Sequence, residues 1–277
     1  MPEPRATAKF PFAPDLLEGR TALVTGGGSG LGRVIAESLA RAGADVLLAA
    51  RRVERCELAA KEIHAATGRR AEAAFVNIRE RDTVEALDAR ALSLFGRIDI
   101  LINNAGGQFP QAARNFKPKG WNAVIDTNLT GTWHMTQIFG DRMLAGAGGV
   151  ITNVIAVVGR GFPGIAHSAA ARAGVLELTR TLAYEWGPKV RLNCVAPGPV
   201  STEAFQTTYD PNIAEVFEGI PLARFGTREE IANGVVFISS PAASYVTGEV
   251  LFVAGGQQNY GRNQALFDRQ LGKNQES

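Results

Sequence analysis

The sequence feature that most constrains the fold is a glycine-rich turn near the start of the chain. Residues 25–32 read Thr-Gly-Gly-Gly-Ser-Gly-Leu-Gly, after a β-branched run at 20–25 and before a helical pattern at 31–41. Glycines are needed where the backbone turns tightly and approaches a pyrophosphate, and a helix N-terminus offers unpaired N–H groups to phosphates. A strand, turn and helix in this order predict a dinucleotide-binding unit.

Short apolar runs then alternate with longer amphipathic segments along the chain. The pattern predicts strands at residues 20–25, 45–50, 73–77, 98–102, 149–154, 190–196 and 249–253, and helices at 31–41, 53–66, 82–95, 121–143, 167–186 and 228–239. Nearly continuous apolar strands are expected when both faces of a parallel sheet are covered. The sequence therefore predicts an α/β, single-domain Rossmann fold, with a doubly wound parallel sheet of about seven strands and helices on both faces.

The composition suits one globular domain. The chain has 277 residues, 45% of them hydrophobic and 20% charged, which is enough to bury a core without a disulfide or a metal. We predict an N-terminal arm at residues 1–16, the domain at 17–260 and a tail at 261–277. The two cysteines, Cys56 and Cys194, are far apart, and no cluster has metal-ligand spacing. Two buried free thiols and no metal are expected.

Charge and termini limit the partners. The formal net charge is +2, from 29 basic and 27 acidic residues, which gives neither a nucleic-acid footprint nor a polybasic membrane patch. The proline-rich first 14 residues contain no long apolar run, and the last three residues form no recognised sorting signal. We expect a cytoplasmic protein that binds a small-molecule substrate.

The end of the second predicted strand bears on which dinucleotide would bind. It reads Ala50-Arg51-Arg52, where a protein that prefers NAD usually places Asp or Glu against the ribose 2′-hydroxyl. A guanidinium group suits a 2′-phosphate in charge and donor geometry. The sequence therefore favours NADP(H). The alternative is that Arg51 and Arg52 are ordinary surface charges at the start of a helix.

Four further segments carry a family resemblance: Asn103-Asn104-Ala105-Gly106, Asp126-Thr127-Asn128-Leu129, Asn193-Cys194-Val195-Ala196-Pro197-Gly198, and Ser-Pro-Ala-Ala-Ser-Tyr-Val-Thr-Gly at 240–248. With the glycine turn, the chain resembles the short-chain dehydrogenase/reductase family over about residues 17–256. The resemblance implies a homotetramer or homodimer. Together with the glycine turn and the arginines, it implies NADP-binding roles for Gly26, Ser29, Gly30, Leu31, Gly32, Arg51, Arg52, Asn77, Ile78, Asn104, Ala105, Gly106, Arg172, Pro197, Gly198, Val200 and Thr202.

The chain departs from the family at the catalytic positions. Most members use a Ser–Tyr–Lys set, but here Ser168 stands at the tyrosine position and Arg172 at the lysine position, and the serine position falls on Ile155 or Ala156. An aliphatic hydroxyl is a poor acid, although it is a good hydrogen-bond donor. Arginine keeps its charge and cannot trade protons. This set is therefore poorly suited to ordinary ketone or alcohol chemistry.

Reduction of a carbon–carbon double bond conjugated to a thioester, unlike reduction of a ketone, does not require an acid of matched pKa. Negative charge then develops on the thioester oxygen, where two neutral donors can stabilise it. We predict Asn128 and Ser168 as these donors and Arg172 as the group that holds the ribose, so these three are the predicted catalytic residues.

A closer resemblance supports this chemistry. It is carried by Asn-Ile-Arg at 77–79, Gly-Gly-Gln-Phe at 106–109, Lys-Gly-Trp at 119–121, Asn-Leu-Thr-Gly-Thr at 128–132, and His-Ser-Ala-Ala-Ala-Arg-Ala-Gly at 167–174. These stretches resemble the peroxisomal trans-2-enoyl-CoA reductases and the related 2,4-dienoyl-CoA reductases. The resemblance implies NADPH and a fatty acyl-CoA substrate, in a bacterial-type cytoplasmic relative.

The substrate side is predicted from strand ends and from one irregular stretch. Gln108, Phe109 and Phe162 follow predicted strands, where open α/β sheets bind ligands. Residues 197–221 are predicted to form a substrate lid, in which Phe205 and Tyr209 face the substrate; an irregular excursion with lid-packing aromatics is the alternative. His167 either relays a proton to Ser168 or packs at the start of its helix.

Three functions follow from these residues. The first is an NADPH-dependent enoyl- or dienoyl-CoA reductase. The second is a ketone or alcohol oxidoreductase whose proton comes from Tyr209 or a water molecule. The third is a subunit that kept the cofactor fold and lost the chemistry, because fold alone does not fix function.

Overall fold

The sheet has seven strands, all of them parallel. The structure is a computed structural model that describes residues 9–157, 164–200 and 220–259. The strands are β1 (Thr21–Thr25), β2 (Asp45–Ala50), β3 (Ala71–Phe75), β4 (Ile100–Asn103), β5 (Gly149–Val154), β6 (Val190–Pro197) and β7 (Val250–Val253). Their order is β3-β2-β1-β4-β5-β6-β7. Strands are therefore added toward one edge of the sheet from β1 to β3 and toward the other edge from β4 onward. The switch point between β1 and β4 is where such sheets bind ligands.

Helices cover both faces of the sheet. They are α1 (Gly30–Arg41), α2 (Val53–Thr67), α3 (Arg81–Phe95), α4 (Pro118–Ile125), α5 (Gly131–Ala145), α6 (Ala166–Trp186) and α7 (Arg228–Ser239). Neighbouring strand residues enter opposite cores: Val24 packs with α1 and α7, whereas Leu23 packs with α3, α5 and α6. This two-sided burial explains the continuous apolar strands and confirms the predicted fold class.

The long helix predicted at 121–143 is present but contains a π-turn. It begins at Pro118, which suits a helix start because its missing N–H is not needed there. Residues Asp126–Thr130 then form a π-helical turn before α5 continues to Ala145. Ile125 and Thr130 both keep helical backbone angles, so the chain passes through the turn without a break. Asn128 lies in the middle of this turn.

The structure differs from the prediction at one strand, and several predicted residues lie outside the described part of the chain. Strand β3 spans Ala71–Phe75 and not 73–77, which places Asn77 in the loop that follows the strand. Cys56 and Cys194 are free and buried, as predicted. None of the described helices is both long and apolar enough to cross a bilayer. Outside the described residues lie Phe162, Thr202, Phe205, Tyr209 and most of the predicted lid.

Candidate active site

The glycine turn and the loop after β4 are tied together by Thr25. Its Oγ1 accepts hydrogen bonds from the backbone N–H groups of Asn104 and Ala105, each 3.0 Å long, and the Asn104 Nδ2 donates to the Thr25 carbonyl oxygen. A Cβ atom placed on Gly32 would lie 2.3 Å from the Gly26 carbonyl oxygen. Helix α1 therefore begins in direct contact with the turn, at a distance that a side chain at 32 would prevent.

The N-terminus of α1 has the features of a phosphate site. Ser29 is the N-cap residue, but its side chain makes no capping hydrogen bond, and the first turn contains no acidic residue. The N–H groups at Gly30 and Leu31 therefore point toward the glycine turn with no side-chain acceptor. Gly26 and Gly30 have φ angles of +69° and +55°, which only glycine adopts readily. The residues present fit a pyrophosphate.

Arg51 and Arg52 lie beside this turn with their side chains exposed. Neither guanidinium group forms a hydrogen bond or an ion pair with any residue of the described ranges. A Cβ atom on Gly28 would lie 2.9 Å from the Cys56 nitrogen, so the turn packs on the first turn of α2. Burial raises the pKa of the Cys56 thiol to about 11, and Cys56 is therefore a structural thiol. The two arginines remain available for a 2′-phosphate.

The predicted adenine-side residues, Asn77 and Ile78, are fixed in the loop after β3. Asn77 Nδ2 donates to Glu80 Oε1 at 2.6 Å, and Thr83 Oγ1 bonds both its backbone N–H and its carbonyl. Ile78 is buried and would clash with a side chain at position 131, where the chain has glycine. Their adenine contacts stay predictions.

Asn128 and Ser168, the two predicted donors, lie within hydrogen-bonding distance of each other, and Gln108 joins them. Both Asn128 and Ser168 are 0% exposed. The Asn128 Oδ1 accepts from the Gly107 N–H at 2.9 Å, and its Nδ2 donates to the Gly107 carbonyl oxygen at 2.9 Å and to Ser168 Oγ at 3.4 Å. Ser168 Oγ in turn donates to Gln108 Oε1 at 2.7 Å. The two Nδ2 hydrogens of Asn128 thus have protein acceptors, and its donation to a substrate stays a prediction.

Arg172 lies one helical turn beyond Ser168 and points back at the same loop. Its Nη1 donates to the Val154 carbonyl oxygen at 2.5 Å, and its Nε is buried without a hydrogen-bond partner. A Cβ atom on Gly106 would lie 2.6 Å from Arg172 Nη2. Burial lowers the pKa of Arg172 to about 10, so the group stays charged at neutral pH. In the described part of the chain no carboxylate pairs with it, which leaves the charge for a ligand.

The end of β6 closes the other side of the switch point. Gly198 N–H donates to the Val253 carbonyl oxygen, and a Cβ atom on Gly198 would lie 2.7 Å from the Ala254 Cα. Val200 is buried and pairs as an isolated bridge with Gly226. The predicted nicotinamide-side residues Pro197, Gly198 and Val200 therefore lie at the carboxyl end of β6, and their contacts to a cofactor stay predictions.

His167 and Phe109 pack against each other next to Ser168. The His167 ring is 4.7 Å from the Phe109 ring and 4.3 Å from the Phe116 ring. A Cβ atom on Gly120 would lie 3.0 Å from Phe109 Cζ, so this ring also covers the start of α4. Burial lowers the pKa of His167, which favours the neutral imidazole. Of the two roles open for His167, packing is the one that these contacts describe.

Sequence reasoning missed Gly107 and Phe116. Gly107 contributes only backbone atoms, which have no side-chain signature, and it stood in the sequence as one of two consecutive glycines. Phe116 is part of an aromatic group with Trp121 that closes the loop on α4. Its signal was the aromatic spacing across 109–121, which a pass for strands and helices does not detect.

The chain is similar to known reductases over most of its length. The family model described as enoyl-(acyl carrier protein) reductase matches residues 26–258. A peroxisomal 2,4-dienoyl-CoA reductase from Danio rerio is 41% identical over 250 residues, covering 88% of this chain and 83% of that protein. A 3-oxoacyl-[acyl-carrier-protein] reductase from Chlamydia muridarum is 37% identical over 243 residues, covering 87% and 98%.

A solved structure is similar over the same range. The gluconate 5-dehydrogenase from Burkholderia cenocepacia J2315, in complex with NADP and tartrate, has a TM-score of 0.83 and 32% identity, and the match covers 88% of this chain and 97% of that one. Fold and site together define a Rossmann-fold oxidoreductase. The chain belongs to the short-chain dehydrogenase/reductase family, which confirms the resemblance carried by its motifs.

Proposed function

We propose that this protein is an NADPH-dependent reductase of the conjugated double bond in an enoyl- or dienoyl-CoA thioester, acting as a cytoplasmic homotetramer or homodimer. One observation carries the proposal: the catalytic positions hold neutral hydrogen-bond donors and a permanently charged guanidinium group. That set stabilises an enolate oxygen and lacks a phenol for carbonyl protonation. The names of the dienoyl-CoA reductase relatives support the substrate class, and the NADP-bound neighbour supports the cofactor.

The cofactor site is formed by the residues around the switch point. Bound NADPH would supply the hydride, to the β-carbon of an enoyl-CoA or to the δ-carbon of a 2,4-dienoyl-CoA. The α1 N-terminus holds the pyrophosphate, Arg51 and Arg52 bind the 2′-phosphate, and Arg172 holds the nicotinamide ribose. The unpartnered Nε of Arg172 supports this last role, because a buried donor needs an acceptor and the ribose hydroxyls supply one.

The oxygen of the thioester receives its stabilisation from Ser168. During reduction of the conjugated double bond, negative charge develops on this oxygen. A hydroxyl donor in a buried site stabilises the charge with little reorganisation of the surrounding protein. Asn128 positions Ser168 and the loop at Gly107. Arg172 adds a fixed positive charge that does not leave as a proton. The proton that completes the reduction then comes from water or from a weak acid.

A basic loop supports CoA as the carrier of the acyl group. Arg114 and Lys117 lie between β4 and α4, and Lys119 lies in the first turn of α4. All three are exposed and form no ion pair with the described residues. Residues 100–125 contain no acidic side chain. CoA carries several phosphate charges, which suit exposed cations next to the Gln108 loop.

Assays of NADPH oxidation with three substrates test the proposal. A trans-2-enoyl-CoA, a 2,4-dienoyl-CoA and a 3-ketoacyl-CoA of matched chain length are compared with the purified protein. Turnover of either unsaturated thioester with no turnover of the ketone is the expected result. Turnover of the ketone alone, or silence with all three, overturns the proposal.

A second candidate is a ketone reductase. The 37% identity to a 3-oxoacyl-[acyl-carrier-protein] reductase favours it. In that case a water molecule or Tyr209, which lies outside the described residues, supplies the proton. Loss of ketone reduction in Tyr209→Phe, with retention in wild type, would distinguish this function from the first.

A further inference from the structure

Ser168 has a single proton to donate, and in this structure a protein group already receives it. The acceptor is Oε1 of Gln108, 2.7 Å from the Ser168 Oγ. A serine hydroxyl donates one hydrogen bond and accepts two. A substrate oxygen that binds through the Ser168 hydroxyl must therefore take the place of the Gln108 oxygen.

The other hydrogen bond of the Ser168 hydroxyl comes from Asn128. Gly107 presents an N–H to Asn128 Oδ1 and a carbonyl to Nδ2, which sets the orientation of the Asn128 amide. Nδ2 consequently donates to Ser168 Oγ. Ser168 thus accepts a hydrogen bond from Asn128 and donates its own proton to Gln108. The chain of hydrogen bonds runs from Asn128 through Ser168 to Gln108.

The acceptor at the end of this chain resembles the reacting group of the substrate. Oε1 of Gln108 is an amide carbonyl oxygen, and a thioester also presents a carbonyl oxygen. We propose that Gln108 is a stand-in for the thioester carbonyl. In the free enzyme its Oε1 accepts the hydrogen bond of the Ser168 hydroxyl, and it competes with the substrate oxygen for that bond. When an acyl-CoA binds, the bond to Gln108 breaks. This inference rests on the proposed function and gives Gln108, which the sequence places only on the substrate side, a specific role in substrate affinity.

Binding of an unreactive ligand measures the competition directly. The probe is a saturated acyl-CoA in the presence of NADP⁺, and the readout is its dissociation constant, which needs no turnover. Gln108→Met keeps the length of the side chain and removes the acceptor. We expect the dissociation constant to fall about 3- to 10-fold, the value of one net hydrogen bond.

Two further variants separate competition from a packing effect. Gln111→Met changes a glutamine on the same loop whose Nε2 bonds to the Asn115 carbonyl, and we expect unaltered acyl-CoA affinity. In a Ser168→Ala background the Gln108→Met change should have no effect, because no proton remains to compete for. An equal gain in affinity in that background would mean that Gln108 acts by bulk, and would overturn the proposal.

A charged acceptor supplies the opposite test. Gln108→Glu places a carboxylate, a stronger acceptor, against Ser168, so acyl-CoA should bind more weakly at neutral pH and recover as the pH falls and the carboxyl group is protonated. Weaker binding in Gln108→Met together with a lower kcat would show that Gln108 assists the substrate and would contradict the stand-in role. If wild type fails to turn over any unsaturated thioester, the proposed function fails and this inference fails with it. If wild type is active and Gln108→Met is unchanged, only the inference fails.

Discussion

The side-chain amide of Asn128 forms two hydrogen bonds of 2.9 Å with the backbone of Gly107, one with its N–H and one with its carbonyl oxygen. A single buried side chain thereby holds a loop that has no secondary structure of its own. The same amide also reaches Ser168. The geometry of the predicted catalytic residues therefore depends on Asn128 even without a contact between Asn128 and substrate.

Replacement of this side chain should affect both activity and stability. In Asn128→Ala two part-buried hydrogen bonds to the Gly107 backbone are lost, and each typically contributes about 0.5–1.5 kcal/mol to the free energy of unfolding. We expect kcat/KM for the enoyl substrate to fall about 100-fold, because Ser168 and the Gly107 loop lose the side chain that positions them. Steady-state kinetics and thermal unfolding check the two effects. Near-normal turnover would remove Asn128 from the catalytic arrangement.

Asn193 provides the matched control for that variant. It is also 0% exposed, and it too bonds backbone groups on both sides, donating to the Val246 carbonyl and accepting from the Glu249 N–H. Asn193→Ala should lower the unfolding temperature similarly and leave the KM values unchanged. A comparable loss of kcat in both variants would point to a general stability effect.

The two glycines after Ala105 should respond differently to the same substitution. A Cβ atom on Gly106 would lie 2.6 Å from Arg172 Nη2 and 3.0 Å from Asn128 Oδ1, whereas nothing lies within 4 Å of one on Gly107. Gly106→Ala must displace the guanidinium group, so we expect weaker NADPH binding and at least about a 10-fold loss of kcat. Gly107→Ala should be close to wild type. Fluorescence titration with NADPH measures the difference, and equal effects would contradict the packing of Arg172 on Gly106.

The arginine pair after β2 should determine the choice between NADPH and NADH. Charge-assisted hydrogen bonds contribute about 1.5–3 kcal/mol, so the double variant Arg51→Ala/Arg52→Ala should bind NADPH about 10- to 100-fold more weakly and NADH equally well. Arg41→Ala, which removes an exposed arginine paired with Glu37, is the control and should change neither constant. Parallel loss of both cofactors would show that the pair has a structural role.

The basic loop should contribute to affinity for CoA and not to the chemistry. Lys117→Glu/Lys119→Glu reverses two exposed charges, so we expect a higher KM for enoyl-CoA that becomes less salt-dependent, because the attraction is electrostatic and screened by ions. A pantetheine thioester of the same acyl chain lacks the nucleotide phosphates and serves as the control substrate. Its KM should not change, and a similar rise for both substrates would place the lysines elsewhere than at the CoA phosphates.

The sequence predicted most of the fold because burial on both faces leaves a clear pattern in β1, β2 and β5. Strand β3 was misplaced by two residues. Its Ala71–Phe75 segment is rich in alanine, which has little preference for strands, and its position is set by pairing with β2. Pairing of that kind is a tertiary effect that local composition does not contain.

The site was predicted by residue type and not by contact. Motifs placed Asn128, Ser168 and Arg172 near one another, and the structure brings them to one loop. The acceptors of their hydrogen bonds could not be predicted, because the carbonyl groups of Gly107 and Val154 are backbone atoms that every residue shares. The role of Gln108 as the acceptor for Ser168 depends on the direction of those bonds.

The π-turn at Asp126–Thr130 makes the orientation of Asn128 sensitive to residue count. An α-helix advances about 100° for each residue, and a π-turn accommodates one residue more than an α-helical turn of the same height. Deletion of one residue between the start of α4 and Asn128 would allow a regular helix and turn the amide away from Gly107. A one-residue change in length before Asn128 should therefore disturb the site even where every side chain that contacts the Gly107 loop is kept.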